Sequence, residues 1–146
     1  MTEYKDLIVE IAKPLYAKNS IYDLEDLIQV GYIGVIKALQ NFDEEKDTDI
    51  QKFMILNIKN EINRFISRFK DEFKKKRSNV DLDKLISKQI KEFNALNLQK
   101  LTTLEKSIIA LKCEGYTRKE ICDLKSLTKN EYYSIFLSAI GKIVNG

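Results

Sequence analysis

Three times in its C-terminal third the chain repeats one pattern: Thr102-x-x-Glu105, Thr117-x-x-Glu120 and Thr128-x-x-Glu131. Each fits a capping box, in which the threonine hydroxyl accepts from the amide three residues on and the glutamate carboxylate accepts from the threonine amide. One such match is common by chance. Three, each heading a segment with apolar residues at helical spacing, are not, and they predict helices near 104–114, 118–125 and 129–144. Gly115 follows the first as a C-cap candidate. The connection from Leu124 to Thr128 is as short as a helix-turn-helix needs.

The remainder also reads as helix. Residues 3–18 carry Leu7, Ile8, Ile11, Leu15 and Tyr16 on one face, and residues 22–40 continue with Leu24, Leu27, Ile28, Ile33, Val35, Ile36 and Leu39. Ser20, with Asp23 three residues on, is a capping candidate between them. Gly31 and Gly34 lie inside the second segment, where each costs up to about 1 kcal/mol relative to alanine, so close approach of a neighbouring helix is expected there. A polar, acidic loop spans Asn41 to Asp49. The helical period resumes from Ile50 to about Lys75 with Phe53, Leu56, Ile58, Ile62, Phe65, Ile66 and Phe69. Lys74 to Asn79 reads as a linker, and Asp81 to Leu98 as a weaker amphipathic helix. One proline and five glycines suit a helix-rich chain. The fold class expected is all-α: two small helical domains, 1–78 and 101–146, joined by a basic, helical linker over 79–100.

Charge is unevenly spread. Residues 1–58 hold 6 basic and 11 acidic side chains (net −5), residues 59–77 hold 8 and 3 (net +5), and residues 78–146 hold 11 and 8 (net +3). An acidic N-terminal part followed by a basic block points to one basic partner and one polyanion. No apolar run approaches the ~20 residues that span a bilayer, and the N-terminus lacks a signal pattern, so a cytoplasmic protein is expected. Cys113 and Cys122 fall at apolar helical positions and read as buried thiols rather than a disulfide or metal set. With no histidine, no metal-ligand cluster, no phosphate loop and no nucleophile–base pair, neither catalysis nor a cofactor is expected. Asp23, Glu25 and Asp26 read as a solvated helix face.

In the last predicted helix Tyr132, Phe136, Ala139, Ile140 and Ile143 form one stripe, with Ile121, Leu124 and Leu127 as packing partners. The opposite face begins with Lys129, Asn130, Tyr133 and Ser134, near the end that a recognition helix presents to base edges. Asn130 suits adenine, Lys129 guanine or phosphate, and Ser134 either. Arg118 and Lys119 open the preceding helix, where a cation beside free amides suits a phosphate. That face carries one formal charge, so its own affinity for DNA is expected to be low.

Two stretches resemble bacterial RNA polymerase sigma factors of the sigma-70 family. Asp26-Leu27-Ile28-Gln29-Val30-Gly31-Tyr32-Ile33-Gly34-Val35-Ile36-Lys37-Ala38-Leu39, then Asn41-Phe42-Asp43, is similar to region 2. Leu101-Thr102-Thr103-Leu104-Glu105, then Glu114-Gly115-Tyr116-Thr117-Arg118-Lys119-Glu120-Ile121, resembles the opening of region 4 and its helix-turn-helix. The resemblance implies a polymerase-docking helix whose contacts fall on Asp26, Gln29 and Ile33; Val30 stands where the family often has glutamate. It implies minus-ten contacts at Phe53, Lys59, Asn60, Asn63 and Arg64, of which Phe53 alone keeps an aromatic ring where housekeeping members carry several. It implies minus-thirty-five contacts at Arg118, Lys119, Lys129, Asn130, Tyr133 and Ser134, with Ser126 in place of the usual turn glycine. The segment between the matches is too short for the family's third domain and is expected to be a tether. The function implied is that of an alternative sigma factor. Core RNA polymerase and promoter DNA are its partners, an anti-sigma factor is a further candidate, and no membrane is involved. The alternative reading is a sigma-derived transcription regulator that binds DNA or polymerase but cannot open promoters.

Overall fold

The computed structural model describes residues 2–17, 22–46, 49–68, 84, 87–88 and 98–145. Among these every regular element is a helix: α1 (Thr2–Leu15), α2 (Leu24–Asn41), α3 (Ile50–Arg68), a 3-10 turn (Leu98–Lys100), α4 (Thr103–Cys113), α5 (Arg118–Lys125) and α6 (Lys129–Asn145). The chain divides into two compact units, Met1–Lys74 and Lys75–Gly146. Most of the expected helix over 81–98, the expected linker over 74–79 and the continuation past Arg68 lie outside the described residues.

In the first unit α1, α2 and α3 all pack on one another. Their core is Ile8 and Ala12 from α1, a long run of α2 from Leu27 to Ala38, and Met54, Ile58, Ile62 and Phe65 from α3. The two glycines of α2 supply the packing reason that their position demands. A Cβ on Gly34 would lie 2.7 Å from the Cα of Ile58 and 2.9 Å from the carbonyl oxygen of Asn57, so here the backbones of α2 and α3 touch. A Cβ on Gly31 would collide with the side chain of Ile8 on α1. Each glycine thus admits a different neighbour. Tyr22, only 6 % exposed, meets Phe65 edge-on at 5.5 Å and Tyr16 at 6.3 Å, tying the α1–α2 connection to α3.

Helix α2 starts later than the Ser20 pattern implies. Its N-cap is Asp23, whose carboxylate accepts from the amide of Asp26 (2.9 Å), while the Asp26 carboxylate accepts from the amide of Asp23 (3.1 Å). Two aspartates therefore build the box, and Ser20 lies outside the described residues. Short carboxylates at a helix N-terminus also complement its dipole.

In the second unit all three threonine–glutamate boxes form. Thr102, Thr117 and Thr128 accept from the amides of Glu105, Glu120 and Glu131 at 3.1, 3.1 and 3.2 Å. The reciprocal bonds to the glutamates are 2.8, 2.9 and 2.9 Å. Gly115, at φ 92°, ends α4: its amide donates to Lys112 and that of Tyr116 donates to Leu111, the paired bonds of a Schellman stop. The end of α5 repeats the device without a glycine. Ser126 takes φ 55° and ψ 48°, and the Leu127 amide donates to Cys122 at 2.9 Å.

The core of this unit joins Ile108, Ile109 and Leu111 of α4, Ile121 and Cys122 of α5, and Tyr132, Phe136, Ala139, Ile140 and Ile143 of α6. Cys113 and Cys122 are buried and free. One expected core residue is not there: Leu124 is 44 % exposed. The inward stripe of α5 runs through Ile121 and Cys122, which turns Leu124 toward solvent. Leu56 departs likewise, 55 % exposed on α3, because the inward stripe there runs Met54–Ile58–Ile62–Phe65.

These contacts set two opposite stability changes. Gly34→Ala drives a methyl into the α3 backbone and is expected to cost about 1–3 kcal/mol. Gly141, whose Cβ would meet nothing within 4 Å, sits mid-helix without a packing reason, so Gly141→Ala is expected to gain about 0.5–1 kcal/mol. Urea denaturation followed by circular dichroism checks both; equal midpoints for Gly34→Ala and the parent chain would show that the helices can spread at no cost.

Candidate functional site

The residues expected to touch partners fall into one buried group and two exposed helix faces. Asp26, Gln29 and Ile33, expected to dock a protein, are 3 %, 4 % and 1 % exposed. Asp26 is also committed to the α2 cap. In the free protein none of the three presents an open side chain. Of α2 as a whole, only Glu25 and Asn41 are exposed.

The α3 face is open. With Met54, Ile58, Glu61, Ile62 and Phe65 turned inward, the opposite side presents Lys52, Leu56, Lys59, Asn60, Asn63 and Arg64. Four of the five expected contact residues, Lys59, Asn60, Asn63 and Arg64, therefore share one exposed surface. The fifth does not stand at its centre: Phe53 is half-buried, its ring tilted against Phe42 at 5.7 Å. Leu56 occupies the centre instead. Sequence periodicity assigned this leucine to the interior, and only the rotation of α3 about its axis reveals it as an exposed apolar group among cations and amides. Glu61, largely buried, pairs with Lys37 of α2 and lies 3.4 Å from a guanidinium nitrogen of Arg64. That carboxylate ties α2 to α3 and offsets part of the charge of Arg64, so Lys52 and Lys59 are the more available phosphate partners on this face.

The second face belongs to α5 and α6. Lys119 is exposed, whereas Arg118 is half-buried and engaged. The expected phosphate seat at the start of α5 is narrower than its sequence implies, because the Thr117–Glu120 box already uses two amides and places a carboxylate there. On α6, Lys129, Asn130 and Ser134 are exposed. Tyr133 is half-buried, edge-on to Tyr132 at 5.8 Å, with the ammonium of Lys129 lying 5.8 Å from its ring centroid. A cation held over a ring is steadied in one place. Leu137, 47 % exposed, continues this face two turns beyond Asn130. It belongs neither to the inward stripe expected for this helix nor to the expected contact residues.

Glu105 ties α6 to α4. Its carboxylate caps α4 at Thr102 and accepts from Lys142 at 2.8 Å, while Ser138 also donates to it, so both bonds from α6 end on one group. Burial pushes this carboxyl up, but the hydrogen bonds from Lys142, Thr102 and Ser138 outweigh it and hold it below the ordinary glutamate range. Glu131 is held low as well, by the amide and hydroxyl of Thr128. No helix among the described residues is long and apolar enough to cross a membrane.

Set against known proteins, residues 1–72 match the family model described as Sigma-70 region 2. No curated protein and no solved structure matches the chain.

Acid should loosen the tie between α4 and α6. Because the folded carboxyl of Glu105 titrates below its unfolded value of about 4.3, its contribution is complete above that pH and is lost as pH falls through the lower, folded value. Glu105→Gln is expected to be less stable than the parent at neutral pH and to show a flatter decline in acid. Denaturant midpoints across pH 2–7 (roughly the span of these carboxyls) check this; a variant profile as steep as the parent's would remove Glu105 from the account.

Proposed function

Residues 1–72 belong to the sigma-70 region 2 family, and from that premise we propose that the chain acts in the cytoplasm as an alternative sigma factor, binding core RNA polymerase and directing it to promoters. Sigma-70 proteins are non-enzymatic initiation factors, and region 2 carries polymerase binding and promoter recognition in the family. The observation that carries the finer reading is the open α3 face, where Lys59, Asn60, Asn63 and Arg64 stand together on the region 2 unit. Lysines and arginine suit phosphates and asparagines suit base edges.

In this reading the domains are 1–78 for polymerase and minus-ten binding, 79–100 as tether, and 101–146 as a region 4-like helix-turn-helix. Helix α2 docks on the polymerase through Asp26, Gln29 and Ile33. Because these are buried in the free chain, docking through them needs a local rearrangement around α2. Helix α3 holds the opened strand, with Phe53 at the edge of its face. Helix α6 enters the upstream major groove with Lys129, Asn130, Tyr133 and Ser134, while Arg118 and Lys119 approach the phosphates. With so few cations on that face, DNA binding without polymerase is weak.

A second reading, a sigma-derived regulator that binds DNA or polymerase without opening promoters, is favoured by one feature: no aromatic ring stands at the centre of the α3 face. Each lost base–aromatic stack forgoes about 1–3 kcal/mol.

Run-off transcription with sigma-free core polymerase separates the two. Product from a duplex promoter supports the sigma factor, and stable binding without product supports the regulator. Gln29→Ala and Asp26→Ala are both expected to weaken co-migration with core polymerase; each also costs some stability, Gln29→Ala through the space left by a buried side chain and Asp26→Ala through the lost reciprocal bond of the α2 box. Unchanged co-migration by both variants would remove α2 as the docking element. Lys59→Ala should lower the salt slope of promoter binding by about 1.

A further inference from the structure

Four observations on α6 converge. First, its core side is assigned to Tyr132, Phe136, Ala139, Ile140 and Ile143, and Leu137 lies outside that stripe, 47 % exposed. Second, Leu137 stands in line with Asn130 and Ser134, at the helical spacing of one face, and all three are exposed. Third, the charged groups around this strip are engaged within the protein. Glu131 closes the Thr128 box, Lys142 pairs with Glu105, and Lys129 lies over Tyr133. Fourth, what remains at the centre is an amide, a hydroxyl and an isobutyl group, with no formal charge.

A neutral strip is poorly suited to phosphates. Its groups match base edges instead: an amide can pair with adenine through two hydrogen bonds, and an apolar side chain meets the one apolar feature of the major groove, the thymine 5-methyl group. We propose that Leu137 is a specificity-determining residue of the upstream DNA contact, reading the 5-methyl of a thymine in the same site where Asn130 reads an adenine. The inference rests on α6 being the groove-reading helix of the proposed function. Seven residues of helix rise about 10 Å, and successive base pairs are about 3.4 Å apart. The thymine therefore lies about three base pairs from the adenine, from those two spacings. An exposed leucine also suits a protein surface, and the experiment is arranged to expose that outcome.

The full chain with core polymerase is used to enrich duplexes from a random-sequence library. Each thymine of the enriched upstream element is then replaced by deoxyuridine, which removes the 5-methyl and nothing else. At one thymine the change is expected to weaken retention about fourfold, the worth of one buried methyl-sized group. Leu137→Ala is expected to lose a similar factor on the thymine template and to be indifferent to uracil at that position. Leu137→Met, which keeps apolar reach, is expected to retain the preference, and it guards against a variant that merely folds badly. Three results overturn the inference while leaving the proposed function standing: an enriched upstream element without thymine, indifference of the parent chain to every uracil, or equal uracil sensitivity in Leu137→Ala. Weaker co-migration of Leu137→Ala with polymerase, at unchanged uracil response, would likewise overturn it and assign the face to a protein. Failure to enrich any upstream element would instead remove the groove-reading role of α6, and this inference with it.

Discussion

The backbone contact between α2 at Gly34 and α3 at Ile58 governs the N-terminal unit. Two helices can approach this closely only where one lacks a Cβ, and once they do, neither can roll without opening the core. The rotational setting of α3 follows. Ile58 and its neighbours at helical spacing go inward, and whatever stands opposite goes to solvent. Lys59, Asn60, Asn63 and Arg64 share a surface for this reason, and the same rotation leaves Leu56 at its centre. Gly31 does the equivalent for α1 through Ile8. The Lys37–Glu61 pair adds a polar tie between α2 and α3.

The C-terminal unit reaches a comparable result by different means. Helices α4 and α5 are short, and all three helix starts are closed by paired side-chain and backbone hydrogen bonds. Glu105 links the two levels, since the carboxylate that caps α4 also receives Lys142 and Ser138 of α6. The cap thus doubles as an interhelical anchor beside the buried apolar stripe from Tyr132 to Ile143 that turns α6 inward. The exposed strip of that helix is nearly neutral, and Glu131 and Lys142 near it are paired within the protein.

Much of the architecture was legible in the sequence because capping is local chemistry. A threonine and a glutamate three residues apart satisfy each other across one helical turn, so all three boxes, and with them the starts of α4, α5 and α6, could be read directly. Gly115 was legible for a similar reason, as the left-handed position that closes a helix. The α2 cap was less so: Asp23 with Asp26 and Ser20 with Asp23 are equally good local patterns, and the structure uses the aspartate pair. The region 2 resemblance rested on a run of residues continuous in the chain, and the family match to residues 1–72 agrees with it.

What the amino-acid order determined by itself is where the capped helices α4, α5 and α6 begin and where α4 stops, because capping and termination act within about four residues along the chain. The inward stripe of α6 was legible too, but on α2, α3 and α5 the side that faces inward was decided only by tertiary structure. Leu56 and Leu124 have the spacing and chemistry of core residues yet stand in solvent, while Asp26 and Gln29 have the chemistry of surface residues yet are buried. The physical reason is that a helix has apolar residues to spare around its circumference, and its rotation is chosen by where neighbouring backbones can approach, a contact between residues distant in sequence.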